Sequence, residues 1–350
     1  MRDLSQVAAR LKERVNSTQK SEFASMQDVS PFGLGSVAPT ELDAAMRLKD
    51  ALLDEFQDVV LEEIYPSQIE ENSWGTFLHL QHESKLVLST FDPSFAESAI
   101  ETELKLLYGI GPAIEQALKA RGINKLSDLT GHPRWGREVQ HLLEYIQARD
   151  LKQLAHQLAR WLPRSHPTAL RLAHLIEPDA LVFFDLESMG LFGRPIILLG
   201  VAHPRPDSIE IHQLLARNIT EELPALTYAL DRLQSAKAIV SYNGRAFDLH
   251  YLLDRLNYYG LSHRFDPVHF DLLSHARRRF RDLLPNTRLE SVEREILRLE
   301  RSMDIPSLLV PEFYNTYLEK RNIGPLIPIL EHNKQDLLSL VLLFAKLCEP

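Results

Sequence analysis

The chain has 350 residues, 45% hydrophobic and 25% charged, the balance of a folded protein rather than of a disordered or fibrous one. Two or three units are expected at that length in place of one core. The single cysteine, Cys348, excludes a disulfide framework and a cysteine-ligated zinc or iron–sulfur centre. No run is apolar enough for a membrane span or a secretory leader, so a cytoplasmic protein with no membrane partner is expected.

The net charge of −9 is unevenly spread: residues 41–103 carry 15 acidic and 3 basic side chains, residues 104–174 carry 5 and 11, and residues 175–350 carry 24 and 20. The first stretch repels phosphate and the second attracts it. The carboxylate surplus of the third suits a place for metal cations, which would reverse the local sign.

In chain order, residues 1–40 read as a short helix, with Val7, Ala8, Leu11 and Val15 at helical spacing, then a flexible tether rich in Ser, Gly, Pro and Gln. Residues 41–100 read as a small acidic α+β region: a helix over 41–60 and two strands, 76–80 and 85–90, forming a hairpin. No chemistry is legible there, and packing or docking of a protein partner is the expectation. Residues 101–165 are helical throughout, broken at Gly109, Gly111, Gly122 and Gly131. Prolines at 163, 167 and 178 mark a boundary. Residues 176–350 change texture: strands at 180–186, 196–202, 208–214 and 238–242, a helix over 219–233, and a mostly helical tail from Pro311. That order is α/β.

Three segments of this last region carry candidate chemistry. Val182-Phe183-Phe184 runs into Asp185 and Glu187, which share one face of a strand because side chains alternate. A helix begins after the strand near Ile239, with Asn243 and Gly244 in the turn and Asp248 in its first turns. In a late helix His332 and Asp336 stand four apart, one above the other. Each has a plainer reading alone: a chance Asp-x-Glu, an acid favourable to the helix dipole, a surface ion pair.

Taken in order, Asp-x-Glu, Asn-x4-Asp and His-x3-Asp resemble the DEDD superfamily of RNase H-like exonucleases, and most of all its YprB-like branch. His269-Phe270-Asp271-Leu272-Leu273, Leu289-Glu290-Ser291-Val292-Glu293, Asp304-Ile305-Pro306 and the Val310, Pro311, Tyr314 pattern fall in that family's order. The resemblance covers about 181–347. It implies an RNase H-like mixed sheet flanked by helices, with Asp185, Glu187, Asp248 and Asp336 as metal-binding carboxylates and Asn243 as a polar residue of the second motif. Where that family places Tyr four or His five residues before the last Asp, this chain has His332 four before Asp336. His332 is expected to be a general base or a water-orienting group.

Two Mg²⁺ or Mn²⁺ ions about 3.5–4 Å apart can stabilise the attacking and leaving oxygens of phosphodiester hydrolysis, and they call for oxygen ligands. The implied activity is 3′→5′ exonucleolysis of single-stranded nucleic acid to nucleoside 5′-monophosphates. A catalytically silent nucleic-acid-binding protein and an endonuclease of the same fold are the alternatives. Asp271 reads as a cleft carboxylate or as the N-cap of a helix from Leu272, the cap being favoured. The run Arg277-Arg278-Arg279-Phe280-Arg281 reads as a solvated face or a phosphate grip.

Within 101–165, Leu106-Leu107-Tyr108-Gly109-Ile110-Gly111-Pro112 followed by Ala113–Leu118 resembles a helix-hairpin-helix module, a sequence-independent DNA-binding unit. Its glycines are expected to adopt backbone conformations closed to other residues. The N–H groups of Gly109 and Gly111, with Lys105, Lys119 and Lys125, are expected to receive phosphate. DNA is therefore preferred to RNA as partner.

Overall fold

Leu181-Val182-Phe183-Phe184 is apolar on both sides of its alternation, so it needs cover on both faces of a sheet. The computed structural model, which describes residues 6, 10, 39–88, 91–190, 193–261, 266–301, 303 and 305–349, provides that cover. Its strands are β1 (Ser67–Asn72), β2 (Gly75–Ser84), β3 (Leu181–Ser188), β4 (Ile196–Pro204), β5 (Ile209–Leu215), β6 (Ala238–Ser241) and β7 (Val268–Asp271). They form one seven-stranded sheet in the order β1-β2-β5-β4-β3-β6-β7. β3 pairs antiparallel with β4 and parallel with β6, and β6 pairs parallel with β7.

The helices are α1 (Pro39–Glu55), α2 (Pro93–Glu101), α3 (Pro112–Lys119), α4 (Gly136–Gln147), α5 (Leu151–Trp161), α6 (Pro167–Arg171), α7 (Glu222–Ser235), α8 (Asp248–Tyr258), α9 (Leu272–Phe280), α10 (Leu289–Val292), α11 (Val310–Lys320) and α12 (Leu326–Cys348). On one face of β3, Val182 and Phe184 join Leu226 and Ala229 of α7 and Leu252 and Leu256 of α8. On the other, Phe183 meets Phe344 of α12 edge to face, ring centres 5.5 Å apart. Leu337, Leu340, Val341 and Phe344 make the buried stripe of α12, at the spacing that keeps side chains on one helical face. Burying such a side chain contributes roughly 1.5–3 kcal/mol, so α12 is fixed across the sheet. This is the mixed sheet with flanking helices expected for the C-terminal region.

The stretch 41–100, expected as a small region of its own, is divided between larger cores. Leu52 and Phe56 pack with Phe313, Tyr314 and Leu330 of the C-terminal helices. The hairpin extends the sheet, β2 running antiparallel to β5 from Leu78↔Leu215 to Ser84↔Ile209. Its strands also differ from the expectation. β1 has Ile69 as its only strongly apolar residue and was not legible as a strand; charges on such an edge guard it against further pairing. Residues 85–88 are not a strand, and 89–90 lie outside the described residues.

The helical module is continuous with the sheet. Leu104, Leu129, Val139 and Leu154 belong to the same buried cluster as Phe183 and Phe344. The proline-marked stretch is filled by α6 and the 3-10 turns Leu172–Leu175 and Pro178–Ala180, with Leu170, Leu172 and Leu175 buried. The expected helix and tether of residues 1–38 lie outside the described residues except Gln6 and Arg10, and so does Asp304. Among the described residues no helix is long and apolar enough to cross a membrane.

Candidate carboxylate active site

Asp185 and Glu187 follow Phe183 on the face of β3 that looks toward α12, because the side-chain period is two. A register shift between Glu187 and Ser188 interrupts pairing with β4 at that point, and bulges re-aim side chains beside functional sites. From α12, His332 Nε2 stands 3.8 Å from Glu187 Oε1 and 3.6 Å from Asp336 Oδ2. Asp248 is the first residue of α8. Gly244 gives it room: a Cβ there would come 3.1 Å from Asp248 Oδ2 and overlap Ser241.

These carboxylates are close enough to oppose one another's ionisation. Withdrawal from water, and then the charges of Asp336, Asp248 and Glu187, drive Asp185 well above the usual carboxylate range, with His332 opposing. Asp248 is pushed up to about 7 by burial and by Glu187, Asp271 and Asp336, against a bond from its own backbone N–H. Crowded acids resist being charged together, and a divalent cation relieves that. An all-oxygen acidic donor set fits Mg²⁺ or Mn²⁺ rather than a thiolate-seeking metal.

One oxygen each of Asp336 and Asp185 is nevertheless engaged by a neighbouring donor. Among the described residues no group of three or more His, Cys, Asp and Glu side chains is placed to hold a metal ion. Arg301 donates from Nη2 to Asp336 Oδ1 and from Nη1 to His332 Nδ1 at 2.9 Å. Asn333 donates from Nδ2 to Asp185 Oδ2 at 2.8 Å. Neither was legible as a site residue. Arg301 follows no motif spacing, whereas Asn333 had one signal, an amide beside His332 on a largely apolar helix.

Asn333 is itself held. Gln213 Nε2 donates to Asn333 Oδ1 at 2.9 Å and to the Leu330 carbonyl at 2.8 Å, while His82 Nε2 donates to Gln213 Oε1 at 2.9 Å. Gln213 and Asn333 are fully buried, and a Cβ at Gly200 would overlap the Asn333 amide. A satisfied buried network fixes rotamers, so the N-terminal hairpin is linked through β5 and α12 to Asp185.

Asn243 adopts φ 63°, and its N–H donates to Asp271 Oδ1 at 2.8 Å. Asp271 also accepts from Leu273 N at 3.1 Å, which makes it the N-cap of α9, as favoured from sequence. It thereby ties the β6–α8 turn to β7. Beside it lies a groove of about 640 Å³ between α5, α8, α9 and β7, lined by Lys152, Arg164, Asn243, Arg245, Asp271 and Arg277 among others. Arg245 is held by the His269 carbonyl at 2.7 Å and repelled by Arg164. Arg164 has no carboxylate partner among the described residues. Of the basic run, Arg277 faces this groove and Arg279 instead bonds the Lys346 carbonyl at the end of α12.

The hairpin residues lie outside the carboxylate cleft, in the turn between Leu104–Leu106 and α3. Gly109 has φ +79°, a conformation L side chains rarely adopt. Gly111 has φ −95° and ψ −179°, which any residue adopts, so the expected demand for glycine holds at Gly109 alone. Lys105 pairs with Glu103 and Glu115, Lys119 with Glu115, and Lys125 with Glu101.

The seven-stranded mixed sheet, its strand directions and its flanking helices form an α/β domain consistent with the RNase H-like fold. Residues 182–348 match RNase_H_2 of the RNase_H superfamily. The chain is 33% identical over 177 residues to the uncharacterized protein YprB of Bacillus subtilis (strain 168), covering 47% of this chain and 41% of that protein. It therefore spans less than half the length of this curated relative. Among solved structures, the family B DNA polymerase of the hyperthermophilic archaeon Pyrobaculum calidifontis aligns at a TM-score of 0.39 and 20% identity, over 47% of this chain and 24% of that one.

Proposed function

We propose that the protein is a metal-dependent 3′→5′ exonuclease that hydrolyses single-stranded nucleic acid, with DNA preferred, to nucleoside 5′-monophosphates. The observation that carries this reading is the convergence of Asp185, Glu187, Asp248 and Asp336 at the end of β3, where burial, and then the charges of neighbouring carboxylates, make Asp185 and Asp248 resist ionisation. Mg²⁺ or Mn²⁺ held by these four side chains would supply charge stabilisation at the phosphorus centre and a nucleophilic water. His332 Nε2, facing Glu187 and Asp336, is the atom placed to take or orient the water's proton. Asn333 keeps Asp185 in one orientation. Arg164, Arg245 and Arg277 along the groove beside Asn243 offer phosphate contacts that position a strand without reading its bases.

A second reading, a catalytically silent nucleic-acid-binding protein, draws on the guanidinium that sits on Asp336. Full-length protein with Mn²⁺ or Mg²⁺, given 5′-labelled single- and double-stranded DNA and RNA, separates the two. A ladder descending from the 3′ end, absent in Asp185→Asn, is the expected result. Binding without cleavage under every condition favours the silent reading, and nicking of a closed circle identifies an endonuclease.

A further inference from the structure

We propose that Arg301 is a built-in counter-ion of the carboxylate cleft, holding Asp336 and His332 in the metal-free protein and giving way when a divalent cation binds. The inference rests on the metal reading above and adds to it how the cleft is kept folded and closed without metal. Arg301 Nε donates to Glu293 Oε2 at 2.6 Å, Nη1 to His332 Nδ1 at 2.9 Å, and Nη2 to Asp336 Oδ1. One planar cation thus spans an anchor and two cleft residues, which suits the fork geometry of a guanidinium and not the point charge of a lysine.

The anchor is built for this. Glu293 is 1% exposed and also accepts from Ser339 Oγ of α12. α10 passes at Glu293 into the π-helical stretch Glu293–Leu297, which ends on Arg298 at φ 58°. A π-turn followed by a left-handed residue re-aims the chain within one turn, and such bulges concentrate at functional positions. Here it turns the chain back so that Arg301 lies against Glu293 and points into the cleft. Glu293 closes the Leu-Glu-Ser-Val-Glu stretch whose part in the site was not legible from sequence.

Two chemical consequences follow. Arginine has no acceptor, so His332 Nδ1 must accept, and the neutral imidazole then carries its proton on Nε2. In that tautomer the Nε2–H faces Glu187 at 3.8 Å and Asp336 at 3.6 Å, and Nε2 cannot take a proton from water. Second, the Asp336 oxygen bonded to Arg301 is withheld from a cation. A divalent ion carries twice the charge of the guanidinium and prefers oxygen alone, so it would replace Arg301 at Asp336, free His332 Nδ1, and leave Arg301 tethered by Glu293.

The test is Mn²⁺ binding to the full-length protein, by calorimetry and by the electron paramagnetic resonance signal of free Mn²⁺, with melting temperature measured in a chelator. Arg301→Met removes the charge at similar length. It should bind Mn²⁺ about tenfold more tightly than wild type, because a competing and repelling charge has gone, and should melt lower in chelator. Mn²⁺ should then raise its melting temperature more than it raises that of wild type. Arg301→Lys should fall between the two and decides the matter if Arg301→Met does not fold. Asp185→Asn should abolish the binding and so assign it to the cleft. Unchanged or weaker Mn²⁺ affinity in the folded Arg301 variants overturns the counter-ion while leaving the metal reading intact. Absence of Mn²⁺ binding in wild type and all variants overturns both.

Discussion

Beside the glycine hairpin every expected phosphate-binding lysine already has a glutamate: Lys105 lies 3.1 Å from Glu103 and 3.4 Å from Glu115, Lys119 2.9 Å from Glu115, and Lys125 3.9 Å from Glu101. The carboxylate cleft is arranged in the opposite way, with acids buried and gathered so that Asp185 and Asp248 resist ionisation and one arginine bridging Glu293, His332 and Asp336. Exposed ion pairs contribute little to stability, but they cancel the field that would draw phosphate. Crowded like charges cost stability and raise affinity for a cation. A positive count along a segment therefore says less about binding than whether each charge has a partner.

The largest effect expected from this contrast is on Asp185. Asp185→Asn should lower exonuclease turnover by about 1000-fold or more, as loss of a group that stabilises charge in the transition state does. Its melting temperature in a chelator should hold or rise, since a repelling charge has gone. Labelled-oligonucleotide rates and thermal melts measure both. Near-normal hydrolysis would remove Asp185 from the site, and a large loss of stability would mean that the cleft is held as the hairpin is, by balanced pairs.

The same crowding predicts a pH dependence. Asp248 is harder to ionise folded than unfolded, its value standing at about 7 against an ordinary carboxylate near 3.9. Its contribution is therefore full at pH below the unfolded value and is lost as pH rises through about 7, a change of up to about 4 kcal/mol. Metal-free protein should be more stable to urea at pH 5 than at pH 8, and Asp248→Asn should flatten that difference. Metal binding requires ionised ligands, so stabilisation by Mn²⁺ should grow over the same interval. A metal-free protein equally stable across it would show that burial and the neighbouring acids do not hold Asp248 above the ordinary carboxylate range.

A smaller effect belongs to the network behind Asp185. Gln213→Leu leaves Asn333 Oδ1 without its donor, which costs about 1–3 kcal/mol, and frees the amide that orients Asp185. Turnover should fall about 10- to 100-fold, as for groups that orient metal ligands, with KM little changed. A matching rise in KM would place Gln213 in substrate binding instead.

Much of the cleft was legible because its residues obey local rules. Asp185 and Glu187 share a face through strand alternation, His332 and Asp336 through helical spacing, and Asp248 sits where a strand turns into a helix. β3 to β6 and α12 were readable from apolar patterning for the same reason. Arg301, Gln213 and His82 were not, since each meets the site through long-range packing that leaves no periodic trace. The short edge strands β1 and β7 escaped as well: β1 is nearly all polar and β7 spans only Val268–Asp271, too few residues to establish an alternation. The assignment of 41–100 to a region of its own failed to anticipate that β5 takes β2 as its neighbour, a pairing that runs from Leu78↔Leu215 to Ser84↔Ile209.

The smallest expected effect is at Gly111, and it decides what the hairpin contributes. A Cβ at Gly111 meets nothing within 4 Å, and its backbone is open to any residue, whereas Gly109 combines φ +79° with Arg134 lying over the position a Cβ would take. Gly111→Val should consequently fold like wild type, which separates loss of phosphate approach from loss of structure. If the Gly109 and Gly111 N–H groups receive phosphate, the valine blocks that approach, and duplex DNA affinity should fall a few-fold with a salt slope shallower by about one unit. With the neighbouring lysines already paired, the fall should be smaller than the roughly tenfold loss expected from removing an unpaired groove charge, as in Arg164→Ser, where a charge-assisted phosphate contact would be lost. Fluorescence anisotropy across a salt series, in chelator so that no strand is cut, measures both variants on the same substrate. A Gly111→Val protein indistinguishable from wild type would make the hairpin a structural or protein-docking unit. Preference for DNA over RNA would then have to come from the groove and the cleft.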